Sequence, residues 1–223
     1  MVYIIHGNAM STCTARVIVS FLAMGLQPEK DFKLESAEFT VLKEADWMAH
    51  QPFGQMPWME DTEAGLEIFE SRAIVSYVGG KIGSPLTPGP ENHKAFAGYL
   101  QAAQNESAQF DGPASTLAFE LYFSKWFGIP TNEENAKKQK DTLAKKLEGY
   151  ERILSKSKYL GGENLTVADL SHLAYGALLS NIGAAPTLTD GSLPNVARWW
   201  KDISANPAWA KTKEMGHPEH GKA

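Results

Sequence analysis

The chain has 223 residues, 43% of them hydrophobic, and a formal net charge of -5. Such a length holds one large domain or two small ones with a packed core, and the apolar fraction speaks against disorder. The mild acidity, spread along the chain, speaks against a nucleic-acid partner, and no stretch approaches the roughly 18 apolar residues of a membrane span.

The first residues, 2–6, form a short apolar run that stops at the turn signal Gly7-Asn8. They read as a strand and not as a signal peptide. Ser11 and Thr12 can cap a helix in which Ala15, Ile18, Val19 and Leu22 recur at helical spacing. Gly25 ends it. Residues 30–34 pattern as a second strand and 38–48 as a helix. Residues 57–61 and 66–69 pattern as a hairpin, and 70–78 as a further helix. This order, βαβ, helix, hairpin, helix, packs naturally as a small sheet with helices on its faces.

The segment Ser84-Pro85-Leu86-Thr87-Pro88-Gly89-Pro90 resists helix formation and marks a domain boundary. The expected division is an α/β domain over 1–82, a linker over 83–91 and an all-helical domain over 92–223. Helical patterns cover 93–109, 113–127, 132–155, 167–181 and 195–204. Thr166-Val167-Ala168-Asp169 has the spacing of a capping box, flanked by Leu165 and Leu170 at the positions of a hydrophobic staple. Removing such a cap costs about 1 kcal/mol.

Three segments can carry chemistry. Ser11 stands where a first strand gives way to a helix, at the end of an α/β unit that favours ligands. By itself a serine there is usually only a cap. The helix start also offers unpaired N–H groups and a positive dipole end, which stabilise a thiolate. A hydroxyl adds a charge-assisted hydrogen bond. Lowering a thiol pKa by about 2 units needs about 2.7 kcal/mol, within reach of those two effects together.

In Gln51-Pro52-Phe53-Gly54-Gln55-Met56-Pro57 the prolines and glycine mark a turn. A cis Pro57 entering an edge strand would turn the Met56 backbone outward, where it could pair with an extended peptide. In Phe69-Glu70-Ser71-Arg72 a strand gives way to a helix. Besides capping it, the Ser71 hydroxyl and N–H could take a carboxylate, and Glu70 an ammonium group.

Taken together, 52–57 and 69–74 resemble the glutathione-binding segment of glutathione transferases, closest to the phi class of plants and its fungal relatives. Ser11-Thr12-Cys13-Thr14-Ala15-Arg16-Val17 resembles that class's catalytic-serine segment, and 110–120 and 159–163 are similar to phi-class stretches. The resemblance implies a thioredoxin-like α/β domain followed by an all-helical one, a homodimer, and glutathione as cosubstrate with no prosthetic group or metal. It matches Ser11 to the catalytic serine, Gln55 and Met56 to residues near the cysteinyl and glycyl parts of glutathione, and Glu70 and Ser71 to the γ-glutamyl site. Lys43 falls where the family has a basic residue near the glycyl carboxylate. Leu42 stands where many members carry histidine, a departure that would weaken glutathione binding.

The same resemblance places Ala9, Met10, Phe119 and Phe123 at the hydrophobic acceptor site. Phe119 and Phe123, four apart, share a helical face, as they equally would in a core. The implied activity is conjugation of the glutathione thiolate to small apolar electrophiles, with peroxidase activity toward organic hydroperoxides consistent with it. The alternative is a non-catalytic carrier of apolar compounds on the same fold.

Cys13 is the only cysteine, so no internal disulfide can form, which fits the cytoplasm. Lying two residues past Ser11, it reads as a packing residue and not as a thiol-transferring nucleophile. His217 and His220 read as a frayed terminus and not as a metal site.

Overall fold

The computed structural model describes residues 2–216; His217 and His220 lie outside the described residues. Chain contacts divide the molecule into two units. One is everything up to Thr87 together with the segment from Asn206 that carries the last helix; the other is Pro88–Ala205.

The first unit is built on a four-stranded mixed sheet, order β2-β1-β3-β4. Strands β1 (Tyr3–Gly7) and β2 (Phe32–Ser36) are parallel and joined through helix α1 (Thr12–Ala23). Strand β3 (Trp58–Asp61) runs antiparallel to both β1 and β4 (Leu66–Phe69). It is therefore an interior strand and not the edge strand expected. Pro57 stands just ahead of its first paired residue, so the missing N–H costs no ladder bond.

Alternation along the strands sorts the two sheet faces. Tyr3, Ile5, Phe32 and Met59 are buried on one face, along with Phe21 and Ile18 of α1 and Ile74, Val75 and Val78 of helix α3 (Ser71–Lys81). The opposite face presents Ile4, His6, Lys33, Glu35, Trp58, Glu60, Glu67 and Phe69. The helix expected over 38–48 is two pieces: a 3₁₀ turn, Phe39–Lys43, and helix α2 (Ala45–His50), divided at Glu44, whose backbone is extended. Neither piece has a buried residue. With Phe39 and Met48 left exposed, no buried apolar face holds the two in one continuous helix.

In the second unit, helix α4 (His93–Asn105) does not stop before Pro113. It continues through a π-helical turn, Glu106–Asp111, into α5 (Gly112–Ala118), a second π turn, Phe119–Phe123, and α6 (Ser124–Trp126). The widened turn ahead of Pro113 absorbs the missing N–H that would break an α-helix. Helix α7 (Glu133–Leu154) follows, then α8 (Val167–Leu170) and α9 (Leu173–Asn181), which part at Ser171-His172 where one helix was expected, and then α10 (Pro194–Ser204). Helix α11 (Pro207–Glu214), absent from the sequence reading, packs against α1. The expected helical half, 92–223, thus loses this segment to the first unit.

The capping box at Thr166 forms. The Asp169 carboxylate, fully buried, accepts from Thr166 N (3.0 Å), the Thr166 hydroxyl (2.9 Å), Leu160 N (3.0 Å) and Trp199 Nε1 (3.0 Å). Elsewhere in this unit, α4 crosses the chain at Gly98, where a Cβ would stand 2.1 Å from the Gly161 carbonyl oxygen. Backbone cannot yield as a side chain does, so Gly98→Ala is expected to cost about 1–3 kcal/mol. Thermal unfolding checks this: an unchanged melting temperature would show that the crossing gives way freely.

Candidate active site

The strand register gathers the three segments at one end of the sheet. β1 finishes at Gly7 beside His6, which pairs with Trp58 at the start of β3; Trp58 pairs in turn with Phe69 at the end of β4. The loop to Ser11, the turn ending at Pro57 and the start of α3 at Glu70-Ser71 all emerge there. The approach is close. A Cβ on Gly7 would stand 2.6 Å from Thr14 Oγ1 and 3.2 Å from Pro57 Cβ.

Ser11 is the N-cap of α1. Its backbone is extended (φ -73, ψ 127), and its hydroxyl oxygen accepts from Thr14 N at 3.3 Å. Accepting that bond occupies a lone pair and leaves the hydroxyl proton for donation. The loop before it is shaped by Asn8, whose Oδ1 accepts from Met10 N (3.0 Å) and whose Nδ2 donates to Ala37 O (2.9 Å). Met10 is exposed, and Ala9 and Ser11 are half-buried.

The Met56-Pro57 peptide is cis. Gln51, buried, folds its side-chain oxygen under the turn to accept from Phe53 N (2.9 Å) and Gln55 N (3.1 Å). Trp47 Nε1 donates to Gln55 O at 2.8 Å, and Lys43 Nζ lies 3.5 Å from Phe53 O. Gly54 sits at φ 60, and a Cβ there would stand 2.6 Å from Leu42 O. Lys43 and Gln55 thus belong to one knot of chain, with both side chains exposed; Met56 is buried.

Glu70 adopts φ 68, ψ 107 ahead of α3. A non-glycine residue held at positive φ stores about 1–3 kcal/mol of strain, a condition that clusters at ligand sites. Ser71 is buried, and its Oγ accepts from Arg16 Nη1 at 2.8 Å. Arg16 also lies 3.4 Å from Cys13 Sγ and is itself fully buried. The sequence reading passed over Arg16 and Gln51. A guanidinium inside the apolar pattern of α1 was the available signal for the first, since arginine is rarely buried without a partner.

In the second unit, the aromatic pair reaches the surface. Phe119 is 38% exposed and Phe123 half-buried, so neither is core. Tyr122, Phe123 and Trp126 form a triangle of edge-on rings, each pair with centroids 5.3 Å apart. Glu120, next to Phe119 in sequence, turns inward. It accepts from Asn135 Nδ2 (2.7 Å) and Asn132 N (2.9 Å), bonds that hold its carboxyl below the usual range. Among the described residues no three His, Cys, Asp or Glu side chains converge as metal ligands, and no helix is long and apolar enough to cross a membrane.

Residues 3–80 match the family profile described as Glutathione S-transferase, N-terminal domain, and residues 110–207 the one described as Glutathione S-transferase, C-terminal domain. The chain belongs to the glutathione S-transferase family. One relative, Glutathione S-transferase PM239X14 of Arabidopsis thaliana, is 45% identical over 202 residues, 88% of each chain. Glutathione S-transferase hmp2 of Hypomyces subiculosus is 34% identical, covering 95% of this chain and 97% of its own. Among solved structures, glutathione transferase F7 from Populus trichocarpa superposes with a TM-score of 0.86 at 32% identity, covering 96% of this chain and 98% of its own. This glutathione S-transferase therefore has the thioredoxin-like plus helical architecture and the phi-type kinship that its motifs imply, and it is a transferase.

Proposed function

We propose that this transferase activates glutathione through Ser11, which donates its hydroxyl hydrogen bond to the sulfur and holds it as a thiolate. The observation that carries this reading is the cap itself: Ser11 Oγ, bonded to Thr14 N, stands at the N-terminus of α1 at the end of β1. A thiolate there meets both the positive end of a 12-residue helix and a hydroxyl donor. Ser11 is a hydrogen-bond donor in this scheme and not a nucleophile.

The rest of the tripeptide follows from the other two segments. Glu70 takes the γ-glutamyl ammonium, and the Ser71 hydroxyl and N–H take its carboxylate. Arg16, bonded to Ser71 Oγ, holds that hydroxyl in place. Met56 and Gln55 hold the cysteinyl and glycyl parts, and Lys43 approaches the glycyl carboxylate. The cosubstrate is a small apolar electrophile, and the residues proposed to meet it are Ala9, Met10, Phe119 and Phe123. Glutathione S-transferase I from maize, at TM-score 0.86 and 27% identity, is solved with an atrazine glutathione conjugate, which supports an aromatic acceptor here. Reduction of organic hydroperoxides, a homodimeric state, a detoxifying role and a cytoplasmic location complete the reading.

Calorimetric titration with glutathione tests the assignment. Wild-type protein should bind, and Glu70→Ala should weaken binding about 10-fold, roughly 1.4 kcal/mol, through loss of the ammonium's partner. Equal affinity in the two proteins would remove Glu70 from the site.

A further inference from the structure

Three rings are stacked on the charged face of the sheet. His6 lies on Trp58 with centroids 3.7 Å apart and planes within 4°, and His50 lies on the same indole at 4.2 Å and 4°. β3 runs between β1 and β4. His6 comes from β1, and His50 is hydrogen-bonded through Nδ1 to Glu67 of β4 at 2.7 Å. The two imidazoles therefore take opposite faces of the indole. His6 Nε2 in turn lies 2.6 Å from Glu60 Oε1. Trp47 meets Trp58 edge-on at 6.2 Å.

Each stacked ring adjoins a different segment of the cleft. His6 precedes Gly7 and the loop to Ser11. Trp58 follows Met56-Pro57. His50 precedes Gln51, whose amide organises Phe53 and Gln55. We propose that the His6–Trp58–His50 stack is the positioning device of the glutathione cleft, locking the Lys43–Gln55 side to the β1 end where Ser11 stands. This rests on the reading of the cleft given above.

The need for such a device is visible in α2. It has no buried residue of its own, and on the sheet face it meets, Trp58 and Phe69 stand among the charged Glu60 and Glu67. With nothing of its own buried the helix gains little from apolar burial, and segments with few buried contacts open easily. What fastens it is the Trp47 bond to Gln55 O, the edge contact to Trp58 and the seat of His50 between Trp58 and Glu67. Trp58 itself is 5% exposed, and its Nε1 is buried with no hydrogen-bond partner. Both ring faces of this indole are taken by imidazoles, His6 on one and His50 on the other.

Steady-state kinetics on the full chain, varying glutathione against a fixed activated aromatic halide and then the reverse, test the proposal. His50→Ala should raise KM for glutathione on the order of 10-fold, with kcat at saturating glutathione within about 2-fold and KM for the halide unchanged, because misplacing a binding segment costs affinity where it touches the ligand. His50→Phe, which restores a ring against Trp58 without the Glu67 bond, should recover most of that loss. Should His50→Ala fail to fold, Glu67→Ala, at a half-exposed side chain, should still raise the same KM about 2- to 3-fold. A purely structural role would lower the melting temperature or the active fraction and leave KM where it was; that result overturns the proposal, as does a rise that His50→Phe does not reverse. Wild-type protein that does not bind glutathione would remove the cleft reading itself, and the stack's role with it.

Discussion

Replacing Ser11 by alanine should slow glutathione conjugation at neutral pH by about 10- to 100-fold while leaving the affinity for glutathione within a few-fold of wild type. The magnitude follows from one hydrogen bond to a charged acceptor, about 1.5–3 kcal/mol, lost only where the sulfur is ionised. The tripeptide would still be held by Glu70, Ser71 and the 51–57 turn, so binding and rate should separate. The pH profile offers a second readout. A thiol without its donor ionises at higher pH, so the variant's rate should climb toward wild type as the solution is made alkaline. The same substitution also removes the cap on α1, at about 1 kcal/mol. Stopped-flow or steady-state rates across pH 6 to 9, with melting temperatures alongside, separate the two losses. A neutral-pH rate equal to that of wild type would dismiss the serine as activator.

The second large effect concerns stability. Asp169→Ala is expected to destabilise the helical unit by about 3–5 kcal/mol, lowering its melting temperature by about 10 °C or more. Sequence alone values this residue as a cap, worth about 1 kcal/mol. The structure gives its carboxylate four donors from three separate stretches of chain: Leu160, Thr166 twice, and Trp199. Burial pushes the carboxyl's pKa up, and the bonds from Leu160, Thr166 and Trp199 oppose that. Truncation would strand two backbone N–H groups, a hydroxyl and the indole N–H of the fully buried Trp199 in the interior. Chemical denaturation measures the difference. A loss near 1 kcal/mol would mean that these donors find new partners and that the residue is a cap and little more.

How much of this was legible beforehand depends on the range of the interaction. The strands, α1, α3 and the long α7 are local patterns of apolar spacing and turn chemistry, and they appear where the spacing predicts. Ser11 and Thr166 were readable as caps because a cap is a matter of three or four residues. The failures are all contests between a local pattern and something distant. Residues 38–48 carry a helical pattern, but no apolar face is offered to it, so it divides at Glu44. The helical patterns over 93–109 and 113–127 read as two, yet a widened turn carries the helix through. β3, paired with β4 in the expected hairpin, becomes interior only because β1, far back in the chain, pairs along its other side. Arg16 and the stacked histidines do their work on residues far along the chain, whereas Gln51 acts within four residues, on Phe53 and Gln55. Arg16 reaches across 55 positions to Ser71, a pairing no local window reveals. Whether an exposed aromatic such as Phe119 belongs to a core is likewise decided by what packs against it.

The two π-helical turns, at Glu106–Asp111 and Phe119–Phe123, have a bearing on how this helix can change over time. An α-helix advances about 100° per residue, and a π turn holds one residue beyond the usual count. Each such turn therefore takes up one residue more than the α-helical turns on either side of it. Rewinding 119–123 as ordinary α-helix with every residue kept would swing the later rings, Trp126 among them, about 100° around the helix, whereas excising one residue along with the π turn would leave them on their present bearing. A π turn is thus a place where the chain can gain or lose one residue while the rest of the helix keeps its facing, so length changes here are tolerated that an ordinary α-helical turn would pass on to every later side chain.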